Sequence, residues 1–190
     1  MGIKLAYGMR MGHVVHISEL AQEEGGEKCN CTCPVCNGTL VAKLKDDRRQ
    51  RHFAHKASTE CNVSHAQESG LHLLAKEIIL ENNRILVPEL VISRQEVSLG
   101  ATDWSASAAV NINLPTIHAS SVGYGSVDIE KKIGDIIADA VIVINKKPCI
   151  VEIAVSHFVD EDKLEKLEAL GIPAFEINLS DLSIRDRSNT

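Results

Sequence analysis

The sequence predicts an α/β protein: a small mixed sheet flanked by helices in a three-layer core, preceded by a β-rich zinc-binding module. Three observations carry this. The C-terminal stretch reads strand, strand, helix, strand. One convincing amphipathic helix precedes it, and four of the six cysteines fall between Cys29 and Cys36. The expected division is a zinc-binding module over residues 1–65 and a core domain over 66–190, interrupted by an insertion at about 95–132.

A chain of 190 residues with 44% apolar composition can bury one domain core and a small satellite, and 3% aromatic content makes that core aliphatic. No run approaches the length of a membrane span, and Met1-Gly2-Ile3-Lys4 lacks the apolar segment of a signal peptide. The expectation is a cytoplasmic protein with no membrane partner. A net charge of −6 argues against a general, sequence-blind grip on DNA but leaves room for a local one. Lys43, Lys45, Arg48, Arg49, Arg51 and Lys56 crowd one segment against only Asp46 and Asp47. Such a run is a solvated face or a nucleic-acid contact.

Lys4 to Tyr7 and His13 to Ile17 suggest two strands around Gly8 to Gly12, and Ala21 to Lys28 reads as a loop. The run Cys29-Asn30-Cys31-Thr32-Cys33-Pro34-Val35-Cys36 follows. In a cytoplasmic protein this clustering argues for metal over disulfide, and Cys33 and Cys36, two residues apart before a glycine turn, form a zinc knuckle. His52-Phe53-Ala54-His55 and Cys61 offer the other ligands. In an extended strand the two imidazoles point to opposite faces, so one of them is a ligand. His55 is nearer Cys61 in the chain, giving the expected set Cys33, Cys36, His55 and Cys61, with His52, His65 and Cys31 as substitutes. A closed site of this kind is structural zinc.

Ala66 to Glu81 reads as a helix with an apolar face of Leu71, Leu74, Ala75 and Ile78. Glu68, His72 and Lys76 align on another side, a ladder that periodicity alone leaves in solvent. Arg84 to Arg94 reads as the first core strand, edge-like because of Pro88. From Gln95 to Lys132 the pattern dissolves into Ser, Ala, Gly and Asn around Trp104, with a short alternating stretch from Ala108 to Leu114 and an incidental His118.

Val141 to Ile144 and Cys149 to Val155 are short buried strands joined by a turn. With Lys146 and Lys147 as the loop, Asp139 lies opposite Ala154 and Glu152 is its diagonal neighbour on the same face, within reach of one divalent ion. Asp135 is a more distant rival. An Asp that opens a strand and a Glu within one are ordinarily solvated. Glu152 resists that reading, because Cys149 to Val155 is an apolar run of the kind buried on both faces, where an isolated carboxylate is costly. Asp160 is the expected N-cap of the next helix, with Val159 and Leu164 as a staple and Leu164, Leu167 and Leu170 as its buried stripe. Gly171 and Pro173 end it, and Ala174 to Leu179 alternates as a last strand.

This order, with Asp opening one strand and Glu inside the next, resembles the core of the PD-(D/E)XK nucleases, the restriction-endonuclease-like fold. The string from Val151 through Ser156, His157, Asp160 and Lys163 to Glu176 and Ser180 is similar to the competence protein CoiA-like nuclease family. So are Cys-x-Cys-Pro-x-Cys with His-Phe-Ala-His and Cys61, and Glu68-Ser-x-Leu-His72-x-x-Ala-Lys76. The resemblance implies a Mg²⁺- or Mn²⁺-dependent deoxyribonuclease. Asp139, Glu152 and the Ile153 carbonyl would hold the ion, and Glu68 would reach the same ion or a second one from the preceding helix. His72 and Lys76 would lie near the substrate, and the zinc module would help place single- or double-stranded DNA. A protein partner or a second copy of the chain fits the same picture. One position departs from the motif: Ala154 stands where its lysine belongs. The resemblance offers Lys163 first as a replacement, then Lys76, with Ser156 or His157 as hydrogen-bond or proton-transfer groups. A protein that kept the fold and binds nucleic acid without turnover is the alternative.

Overall fold

The computed structural model describes residues 4–44, 50–56, 60–87 and 120–182. Two short antiparallel hairpins build the N-terminal part. The first joins β1 (Tyr7–Arg10) to β2 (His13–His16), and the second joins β3 (Leu40–Lys43) to β4 (His52–His55). Met11 and Gly12, both with positive φ, make a two-residue turn whose twist suits the first hairpin. A bond from the Phe53 amide to the Leu5 carbonyl, 2.8 and 2.9 Å bonds between Met9 and Thr32, and an isolated bridge between Thr32 and Thr39 tie the hairpins together. The expected loop from Ala21 to Lys28 holds one short 3-10 turn, Gln22–Glu24, and leads into a second, Glu27–Cys29.

Helix α1 (Val63–Glu81) starts three residues earlier than the periodicity suggests, because the Asn62 side chain accepts the His65 amide and caps it. Its buried face also differs. Ala66, Gln67, Gly70, Leu71, Lys76 and Ile79 are buried, while Ile78 is half exposed. Helix periodicity assigns polar residues to solvent, but here both ends of the helix are packed against strands. The Gln67 side chain accepts the Ala6 amide at 2.7 Å, and Glu77 accepts the Val14 amide at 2.9 and 3.1 Å, so α1 holds the first hairpin through its backbone. Gly70 makes this approach possible. A Cβ there would meet the Tyr7 Cβ at 2.5 Å.

Of the strand expected from Arg84 to Arg94, Arg84–Val87 does not enter the main sheet, and the rest, with Pro88, lies outside the described residues. β5 (Arg84–Val87) pairs with β6 (Ser120–Gly123) in a separate two-stranded sheet. The main sheet starts with β7 (Val127–Ile133), inside the stretch expected to be an insertion. β8 (Ile136–Ile144), β9 (Lys147–Ala154) and β10 (Ala174–Asn178) complete it, in the order β10-β9-β8-β7. β8 runs antiparallel to both neighbours and β10 parallel to β9, which it reaches through α2 (Glu161–Leu170). Trp104, His118 and the stretch Ala108 to Leu114 lie outside the described residues, as do Lys45, Arg48 and Arg49 of the basic run.

Asp160 caps α2 by accepting the Lys163 amide at 2.8 Å, and Gly171, with φ of 62°, ends it in the left-handed conformation. Of the expected stripe only Leu167 is buried, and Leu164 is half exposed, since this short helix covers only part of the sheet. The core has three parts. One lies between the hairpins and the first half of α1, and a second lies where Ala75 and Ile79 of α1 meet Ala140, Ile142, Val151 and Ile153. The third lies where Leu167 meets Ile136, Ala138, Val141 and Ile150. The architecture is thus mixed α/β, with a helix packed against each face of the sheet. Among the described residues no helix is long and apolar enough to cross a membrane.

Candidate metal centres

Cys33, Cys36, His55 and Cys61 converge, with their ligand atoms all within 4.8 Å of one another. The Cys33 and Cys61 sulfurs are 3.7 Å apart, and Cys36 Sγ is 3.3 Å from His55 Nε2. A tetrahedron with Zn–S bonds of about 2.3 Å has edges of about 3.8 Å, so the cluster is already near the size that zinc requires. The Val35 amide donates to Cys33 Sγ at 3.5 Å and the Gly38 amide to Cys36 Sγ at 3.4 Å, bonds that favour thiolates. The Gly38 bond is the main reason the Cys36 thiol is shifted downward. His52 turns away, with Nδ1 3.0 Å from the Gln50 carbonyl, as the opposite faces of a strand require. Cys29 and Cys31 are fully buried in the core. Their sulfurs donate to backbone carbonyls, Cys29 to Gly26 and Cys31 to Cys29, and neither belongs to the converging cluster, so both fill space in the core. The arrangement can bind a metal and suits structural zinc.

The second centre lies where β8 and β9 separate. The turn between them is Asn145-Lys146, both with positive φ, a conformation Asn tolerates at the first position. Lys147 therefore belongs to β9, and the pairs run from Ile144↔Lys147 to Ala140↔Val151. Parity is as expected, but the register is shifted by two residues. The pairing ends there, with Asp139 and Glu152 as the next residues of the two strands, so Asp139 does not face Ala154. At Asp139 the strand also changes face, since Ile136 and Ala138 pack toward α2 and Ala140 and Ile142 toward α1. That switch lets Asp139 meet residues of α1 while it stands beside Glu152.

Asp139 is well held. Its Oδ2 lies 3.1 Å from His72 Nε2 and accepts the Ile153 amide at 2.9 Å, and its Oδ1 lies 3.1 Å from Lys76 Nζ. Burial alone would raise its pKa, but hydrogen bonds from His72, the Ile153 amide and Lys76 together bring it below the usual carboxylate range. His72 and Lys76 are thus no solvent ladder, and the side chain of Lys76 is only 9% exposed. Glu68, one turn earlier on α1, is half-buried and engaged in contacts of its own. Asp135 sits exposed in the β7–β8 turn.

Glu152 is 3% exposed. Lys163 reaches its Oε2 at 2.7 Å from the first turn of α2. Its buried Oε1 has no hydrogen-bond partner among the described residues. The Asp139 carboxylate is a close neighbour, near enough to share a proton with Glu152, so Oε1 stands unpartnered when both groups are ionised. Burial, and after it the charge of Asp139, raise the Glu152 pKa above the usual value against the pull of Lys163. Sequence reasoning missed a third acid. Lys76 Nζ also lies 3.0 Å from Glu130 Oε1 on β7, where Lys131 and Lys132 mask the alternation of an edge strand. Ser156 and His157 are exposed beyond the end of β9.

Comparison with protein-family models, curated proteins and solved structures gives no significant match.

Proposed function

We propose that the chain is a metal-dependent deoxyribonuclease of the CoiA-like kind, with Asp139 and Glu152 as the ligands of a catalytic Mg²⁺ or Mn²⁺ ion. One observation carries the reading. A buried carboxylate, Glu152, keeps one oxygen without a hydrogen-bond partner among the described residues beside a second carboxylate, an arrangement that is costly unless a cation or a proton completes it, and a divalent ion would serve both carboxylates at once. The order α1, β7, β8, β9, α2, β10, with Asp139 and Glu152 on adjacent central strands, supports a restriction-endonuclease-like core.

The donors fit a hard cation that takes oxygen ligands. When bound, the ion supplies an activated water and neutralises charge on the scissile phosphate. The chain's own residues orient the site. His72 and the Ile153 amide fix Asp139, and the short bond between Lys163 and Glu152 holds an ammonium at the site's outer edge, where it can meet a phosphate oxygen. The zinc cluster supports the module that holds the N-terminal half of α1, which carries Glu68 and His72.

The alternative, nucleic-acid binding without turnover, draws on Ala154, fully buried where the motif has lysine. Asp139→Ala separates the two. In a nuclease it abolishes cleavage of DNA and leaves DNA binding intact. In a binding protein there is no cleavage to lose.

A further inference from the structure

Three carboxylates stand abreast across the sheet. The β7–β8 pairs Ile129↔Ala140 and Lys131↔Ala138 place Glu130 opposite Asp139, and one step beyond Ala140↔Val151 places Glu152 on its other side. The two gaps between them differ. Among the described residues no lysine bridges Asp139 and Glu152: Lys163, 31% exposed, pairs with Glu152, and Glu152 Oε1 has no hydrogen-bond partner. Between Glu130 and Asp139 the gap is filled, with Lys76 Nζ 3.0 Å from one and 3.1 Å from the other.

We infer that Lys76 is a built-in cation: its ammonium holds, between Glu130 and Asp139, the position a second divalent ion would take, so that the centre binds a single ion, at Asp139 and Glu152. This rests on the metal site proposed above. A compact ammonium with three donors does for two facing carboxylates what a bound cation does. Lys76 cannot leave cheaply, since a buried ammonium without partners is strongly destabilised. Glu130 has φ of 52°, a left-handed conformation strained for a residue with a Cβ, at the point where its side chain meets the lysine.

The test is a Mn²⁺ titration of the zinc-loaded, full-length protein, with bound ion counted by electron paramagnetic resonance. Wild type should take one Mn²⁺ per chain, lost in Glu152→Gln. Lys76→Met should take a second, and Lys76→Met with Glu130→Gln should lose that second ion again. No Mn²⁺ on wild type overturns the metal site and this inference with it. Two ions on wild type, or one unchanged ion on folded Lys76→Met, overturns the role of Lys76 alone. Should Lys76→Met fail to fold, the Lys76 ammonium signal in NMR spectra of wild type decides. Its persistence at saturating Mg²⁺ supports the inference, and its loss to solvent exchange overturns it.

Discussion

Lys163 Nζ lies 2.7 Å from Glu152 Oε2, while Oε1 of the same buried carboxylate has no partner. One cation thus neutralises Glu152 from α2 and leaves half of the carboxylate to another. Lys163→Met should cost the metal-free protein about 2 kcal/mol or less, given the partial exposure of the lysine. Saturating Mg²⁺ should recover part of that loss, because the ion becomes the partner Glu152 then lacks. Urea unfolding of both proteins with and without Mg²⁺ checks this.

Glu152 should also impose a pH dependence. Its folded pKa is raised above the ordinary 4.5, so between those two values the folded state holds a proton that the unfolded state has released. Its contribution therefore turns unfavourable as pH rises through that window, and below the window it makes no difference. Glu152→Gln should gain stability over wild type, in metal-free buffer, as pH rises above 4.5. Paired unfolding curves at a series of pH values measure the gap, and a gap that stays constant would contradict the buried, protonatable carboxylate.

Zinc should be part of the fold of the N-terminal hairpins, since four candidate ligands from three segments meet beside a core containing Leu5, Leu40 and Phe53. Structural zinc binding supplies folding energy directly. Cys33→Ser, or a strong chelator, should lower the melting temperature by on the order of 10 °C. Metal analysis of the purified protein should find one zinc per chain, absent from the variant.

Gly70→Ala should destabilise the protein although alanine is the better helix former. The added Cβ would meet the Tyr7 Cβ at 2.5 Å, and such overpacking costs about 1–3 kcal/mol against a propensity gain of about 1 kcal/mol. Thermal melts of the two proteins show the sign.

The cluster of Cys33, Cys36, His55 and Cys61 and the burial of Glu152 were legible in the sequence because their signals are local. Spacing places Cys33 with Cys36, strand alternation separates His52 from His55, and an apolar run leaves Glu152 nowhere to go but inside. Lys76 and Gln67 were not, because periodicity reads polar helix residues as solvated and cannot see the strands that cover them. Glu130 was hidden by the polar edge strand that carries it, and the first core strand was sought at Arg84 because Ile85 and Leu86 there look more apolar than Val127–Ile133. The register of β8 and β9 turned on which two residues make the turn. Asn145 and Lys146 in the left-handed region decided it, and with it the place of Asp139 and Glu152 as the next residues beyond the Ala140↔Val151 pair.

The most direct measurement is a time course of cleavage of supercoiled plasmid, linear duplex and single-stranded DNA by the zinc-loaded protein with Mg²⁺ or Mn²⁺. Folded Asp139→Ala and Glu152→Ala proteins are run alongside. A nuclease centred on this pair should cut at least one substrate only when the divalent ion is present, with the rate falling at least 100-fold (about 3 kcal/mol) in both variants. Cleavage that persists in the variants, or no cleavage of any substrate by wild type, would contradict it.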